Sequence, residues 1–71
     1  MILGFNADEV FRVAIEIENN GILFYQKAYE FLQDENLKQV FLELKDKEEK
    51  HRTAFQDMRA RLPESARRIT D

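Results

Sequence analysis

An apolar seam in the second half of the chain carries polar side chains at two consecutive positions, and this feature constrains the fold most. The seam follows alternating spacings of four and three: Leu37, Phe41, Leu44, Glu48, His51, Phe55, Met58 and Leu62. Residues three apart lie on one face of a helix. Because a buried charge without a partner costs several kcal/mol, we expect a compensating group at Glu48 and His51. A metal ion would serve.

The first half of the chain has a similar seam with one carboxylate in it. Its positions are Phe11, Ala14, Glu18, Gly21, Tyr25, Ala28 and Leu32. Glu16 lies about 200° from Glu18 around a helix, so the two carboxylates cannot act on one face. A flanking stripe is also apolar: Val10, Val13, Ile17, Phe24 and Phe31. Together they form a face wider than one neighbouring helix can cover, which predicts more than one partner helix.

Capping residues predict where the two helices begin. Asn6 followed by Glu9 indicates the start of the first helix, and Asp34 indicates the start of the second. The polar connection between them is short, so the helices should be antiparallel neighbours. We therefore predict an all-α fold, with one helical hairpin in a single domain over residues 1–71. Helix one spans about residues 7–33, helix two about 35–62, and residues 63–71 form a short helix after Pro63 or a frayed tail.

The hairpin brings the three polar seam residues to one height. Glu18 lies about 16 residues before the turn centre, and Glu48 and His51 lie about 14 and 17 after it. Two carboxylates and one imidazole make half of a site for two metal ions. Four-helix carboxylate proteins use a Glu from each of two helices and a Glu-x-x-His from each of the other two. A symmetric homodimer would complete the set and cover the flanking stripe. These ligands suit iron or manganese, and zinc can occupy such sites.

The same residues resemble a known family. The segment from Ala14 to Tyr25, with Glu18 seven residues before Tyr25, and Glu48-Glu49-Lys50-His51 thirty residues after Glu18 resemble the rubrerythrin branch of the ferritin-like superfamily. The resemblance covers roughly residues 8–62. It implies a ferritin-like four-helix bundle in which Glu18, Glu48 and His51 bind iron and Tyr25 lies near the metals.

A single hairpin is similar to the encapsulated ferritins, which assemble a di-iron site between two chains. The resemblance implies iron-dependent redox chemistry without fixing the reaction. We expect a homodimer or higher homo-oligomer that oxidises ferrous iron with oxygen or peroxide, in iron handling or oxidative-stress protection. The resemblance does not settle whether the chain is an enzyme of this ferroxidase type. The likeness to encapsulated ferritins adds enclosure in an encapsulin-type compartment as one form of the cytoplasmic location expected below.

Other interpretations of these residues remain open. Glu48 and His51 could be an exposed pair, Glu18 could be solvated beside Glu16, and Tyr25 could be an ordinary core tyrosine. The three polar seam residues could instead form a buried network that sets the register of a non-catalytic dimerisation module. A structural metal site without turnover is a third reading. Lys45, Asp46, Lys47, Lys50 and Arg52 are most simply the solvated face of helix two.

Composition excludes several classes of function. The chain has no Cys, which excludes thiolate metal sites and disulfides. A net charge of -3 argues against nucleic-acid binding. No apolar run approaches the roughly 20 residues of a membrane span, so a soluble cytoplasmic chain is expected.

Overall fold

The computed structural model describes residues 5–67 and consists there of two long helices and one short one. Helix α1 spans Ala7–Phe31, helix α2 spans Glu35–Ala60, and a 3-10 helix, η1, spans Glu64–Arg67. The described chain is thus an antiparallel helical hairpin without strands, which confirms the predicted all-α hairpin. Of the two alternatives left open after Pro63, a short helix is present as η1, and residues 68–71 lie outside the described residues.

Both helices begin where their capping residues predict. The Glu9 N–H donates to Asn6 Oδ1 at 2.8 Å, and the Leu37 N–H donates to Asp34 Oδ1 at 2.9 Å. Each bond satisfies one of the backbone donors that a helix start leaves unpaired.

Both helices end about two residues earlier than predicted. The backbone of Leu32 is extended, with φ -74° and ψ 148°, because the chain must leave α1 before Asp34 can cap α2. Helix α2 stops at Ala60, and its last carbonyls accept from the N–H of Arg61. Pro63 disfavours helical backbone in the residue before it, so the chain leaves the helix ahead of that proline.

Contacts between aromatic side chains hold the two seams together. The rings of Phe11 and Phe55 lie 6.2 Å apart near the open end of the hairpin, and those of Tyr25 and Phe41 lie 6.0 Å apart nearer the turn. Gly21 lies opposite Glu48: a Cβ built at position 21 would be 3.7 Å from Glu48 Cγ. The seam therefore packs closely on both sides of the height at which Glu18 lies.

The hairpin forms a single layer and has no enclosed core. Its extents are 53 × 25 × 14 Å, so its smallest dimension is little more than one helix diameter. None of the residues from 5 to 67 is fully buried, and eleven large apolar side chains are exposed. Packing between the two helices thus covers the seams and leaves the flanking apolar stripe exposed.

The two broad sides of the hairpin differ in chemistry. Side-chain contacts between the helices lie on one side: Asp8–Arg59, Asn19–Arg52, Gln26–Lys45 and Tyr29–Lys38. At about 100° per residue, the opposite side presents an apolar face. We define this apolar face as Val10, Val13, Ile17, Phe24 and Phe31 of α1 with Val40 and Met58 of α2, all exposed. His51 lies at the same helical phase as Val40 and Met58.

None of the described helices is long and apolar enough to cross a membrane.

Candidate metal centre

Glu18, Glu48 and His51 converge at mid-height of the hairpin. One ligand atom from each of the three lies within 4.8 Å of the other two. His51 Nδ1 is 3.6 Å from Glu18 Oε2 and 4.0 Å from Glu48 Oε1. The predicted common height of these three residues is therefore present in the folded chain.

Glu18 is the most enclosed member of the cluster. Its side chain is 13% exposed, compared with 24% for Glu48 and 60% for His51. Glu18 Oε2 is buried and has no hydrogen-bond partner. A buried carboxylate oxygen normally accepts a hydrogen bond or binds a cation. We therefore expect Glu18 Oε2 to bind a cation or to be protonated.

The electrostatics of Glu18 lead to the same conclusion. The neighbouring Glu48 carboxyl raises the pKa of Glu18, chiefly because it can accept a hydrogen bond from the protonated form of Glu18; burial and charge repulsion from Glu48 raise the pKa further, and His51 acts in the opposite direction. Two carboxylates this close resist ionising together. A divalent cation would relieve that repulsion, because it favours both ionised forms.

His51 is more exposed than its seam position predicts. The predicted seam uses a period of 3.5 residues, whereas a straight helix turns every 3.6, so the seam drifts around α2 along its length. His51 and Met58 consequently lie at the edge of the seam. His51 therefore reaches the Glu pair through Nδ1 while its ring opens onto the apolar face.

Tyr25 lies outside this cluster. Its ring packs between Phe24 at 5.6 Å and Phe41 at 6.0 Å, and it sits seven residues, or about 10 Å, along α1 from Glu18. These two ring contacts pack Tyr25 into the seam. Its predicted role near the metals stays a prediction.

Two basic residues assigned to the solvated face of α2 instead bridge the helices. Lys45 Nζ donates to Gln26 Oε1 at 2.7 Å, and Arg52 Nη1 donates to Asn19 Oδ1 at 2.6 Å. The Arg52 bond connects residues next to both halves of the cluster. Both residues lie beside the seam, and their long side chains can reach the facing helix from there.

A surface groove of about 460 Å³ lies elsewhere on the hairpin. It is lined by α2 alone, by residues between Gln39 and Lys50. It contains none of the three converging residues. Its size therefore adds nothing to the assignment of the metal centre.

Comparison with known protein families finds no family model that matches this chain, and no curated protein or solved structure matches it. The likeness to the rubrerythrin branch therefore stays a prediction from the motif residues.

Proposed function

We propose that two copies of this hairpin form a ferritin-like four-helix bundle that binds iron between them and oxidises ferrous iron. The observation that carries the proposal is the convergence of Glu18, Glu48 and His51 around a buried carboxylate oxygen without a donor. Two copies supply four carboxylates and two imidazoles. This is the ligand inventory of the di-iron carboxylate bundles.

The ligand chemistry fits iron. Carboxylate oxygens with imidazole nitrogen suit divalent iron or manganese, and the four Glu charges would nearly balance two divalent ions. Zinc could fill the same ligands. Each bound ferrous ion would give one electron to oxygen or peroxide and become ferric.

The residues of the chain have separate roles in this proposal. Glu18 and Glu48 hold the metals and balance the charge that rises on oxidation. His51 supplies nitrogen from the edge of the seam. Its half-exposed position suits a ligand that is enclosed only when the second copy arrives. The surrounding aromatic seam limits water near the carboxylates and so strengthens their electrostatic effect.

The surface of the single hairpin supports a second copy. A folded monomer of 8.5 kDa typically exposes roughly 4,700 Å², whereas this chain exposes 5729 Å². The excess, roughly 1,000 Å², is comparable to the area that each partner loses in a stable interface. The exposed side chains of the apolar face contribute to this surface, and His51 lies at the same helical phase as the α2 part of that face.

Oxygen consumption after addition of ferrous iron tests the proposed activity. We expect the dimer to consume oxygen and to develop ferric absorbance faster than buffer alone. Glu48→Gln should reduce the rate at least about tenfold, since it removes a ligand charge while keeping the shape. Glu43→Gln, an exposed carboxylate on the same helix, is the matched control and should keep the rate. Iron bound without oxygen consumption above the buffer rate would leave a structural metal site and contradict the ferroxidase proposal.

A register network is the second candidate, because the His51–Glu18 distance of 3.6 Å also suits an ion pair when His51 is protonated. In that case the cluster would hold the hairpins in register without metal. Chelators would then leave the assembly unchanged.

A further inference from the structure

The cluster lies at the middle of the hairpin, and this position bears on how two copies can be arranged. Thirteen residues separate Glu18 from Phe5, and thirteen separate it from Phe31. A two-fold axis perpendicular to the helices and passing through the cluster would therefore overlay two hairpins along their full length. An axis parallel to the helices places no condition on the height of the site.

A shallow apolar pocket lies at one end of the apolar face. Phe5, Val10 and Val13 line it, and its volume is about 160 Å³. An apolar cavity of about 150 Å³ is large enough to bind benzene. The pocket therefore has the size and the chemistry to receive one phenyl side chain.

The other end of the same stripe presents two exposed phenyl side chains. Phe31 is 85% exposed and Phe24 is 63% exposed. A two-fold axis at the height of Glu18 places position 24 of one copy opposite position 12 of the other, which lies between Val10 and Val13. It places position 31 opposite position 5 in the same way. Phe24 and Phe31 of a second copy would thus arrive at the pocket and at its rim.

We infer that the two copies pack α1 against α1 in opposite directions, about a perpendicular two-fold axis through the metal cluster. In this arrangement Phe24 of each copy fills the pocket formed by Phe5, Val10 and Val13 of the other, and Phe31 covers its outer edge. The inference rests on the proposed dimer and adds its orientation and its anchoring residues. Phe24 and the pocket lie on opposite sides of Glu18, at about equal distances along α1. Docking of Phe24 in the pocket therefore brings the two half-sites to the same height.

Single cysteines test the orientation, since the chain has none of its own. Position 17 lies one residue from the axis, so Ile17→Cys should form a disulfide with its own copy under mild oxidation in the presence of chelator. Position 10 lies eight residues from the axis. Val10→Cys should therefore remain unlinked, because its two copies would be about 24 Å apart along the bundle.

A parallel axis would overturn the inference and would give a different pattern. Each α1 position would then lie at the same height as its own copy, so Ile17→Cys and Val10→Cys would behave alike. Mass in solution without oxidant distinguishes failure of the proposed dimer from failure of the proposed orientation. A monomer would contradict the proposed dimer itself, whereas a dimer in which Ile17→Cys does not link would contradict only this arrangement.

A matched pair of variants tests the anchor. Phe24→Ser should weaken dimerisation at least tenfold, because the pocket loses its occupant. Leu23→Ser removes a side chain of similar exposure, 56%, that lies about 100° further around α1, away from the apolar face. It should leave the dimer intact. Equal effects of the two substitutions would contradict the docking of Phe24.

Discussion

At the scale of single residues, the proposed role of Glu18 as a metal ligand comes with a cost to the metal-free chain. Its Oε2 is buried without a donor, and the adjacent Glu48 carboxyl raises its pKa. An arrangement of this kind is typical of sites at which function takes precedence over the stability of the unliganded state.

Glu18→Gln should therefore stabilise the metal-free protein at neutral pH, by roughly 1 kcal/mol, since an amide can donate to Glu48 and removes the repulsion. The same change should lower metal affinity at least tenfold. Denaturant unfolding in chelator, together with metal titration, measures both effects. A loss of stability in the metal-free protein would instead favour the register network, in which Glu18 holds the structure together.

His51 allows the metal role to be separated from stability. Because its side chain is 60% exposed, His51→Ala should change the free energy of unfolding by no more than about 0.5 kcal/mol. Metal content should nevertheless fall. Lys50→Ala is the control: Lys50 is exposed, adjacent, and pairs only with Asp46 at 3.1 Å among the ion pairs of the described chain. Equal metal retention in both variants would exclude His51 as a ligand.

At the scale of the helices, the close approach of α1 and α2 at Gly21 still leaves room for a methyl group. A Cβ there would meet Glu48 at 3.7 to 3.8 Å, an ordinary van der Waals distance. Gly21→Ala should therefore stabilise the hairpin by about 0.5–1 kcal/mol through helix propensity alone. Thermal unfolding of the metal-free protein measures this. Destabilisation by Gly21→Ala would mean that α1 and α2, or a second copy, pack more closely against position 21 than the single hairpin shows.

The open end of the hairpin is held by an ion-pair network. Arg59 Nε donates to Asp8 Oδ1 at 2.7 Å, and Arg67 Nη2 donates to the Arg59 carbonyl at 2.9 Å. These bonds tie the start of α1, the end of α2 and η1 together. The hydrogen bond from Arg59 holds the pKa of Asp8 below its usual value of 3.8.

This shift predicts a pH dependence with a definite sign. The folded chain releases the Asp8 proton more readily than the unfolded chain does. The contribution of Asp8 to stability is therefore complete above its ordinary value of 3.8 and is lost as pH falls through the lowered folded value. Asp8→Asn should remove this part of the acid dependence and leave the rest. Identical slopes of stability against pH below 4 in the two proteins would contradict the role of the pair.

The sequence predicted the helices well because their signals are local. Asn6 and Asp34 cap the helices as predicted, since a cap depends on a side chain and a backbone N–H three residues away. The convergence of Glu18 with Glu48 and His51 also followed from counting residues along a hairpin. The exposure of His51 and the bridging by Lys45 and Arg52 did not follow. They depend on how the seam drifts around α2 and on where long side chains reach, which heptad spacing does not encode.

At the scale of the whole molecule, the single hairpin is thin and lacks an enclosed core, and its apolar surface lies on the side onto which His51 opens. Dimerisation and completion of the metal centre are therefore one event in this account. The thermal midpoint should rise with protein concentration and rise further with ferrous iron kept free of oxygen, because both ligands bind the folded state. A midpoint that depends on neither would contradict this coupling.

The measurement that tests the central claim most directly combines iron content with mass in solution, for protein purified without added metal and then loaded with ferrous iron. We predict a mass of at least twice the 8.5 kDa chain and about one iron per chain. The iron should be lost in a folded Glu48→Ala variant. A dimer that holds no metal in any preparation, and that is indifferent to chelator and to that substitution, would contradict the di-iron centre.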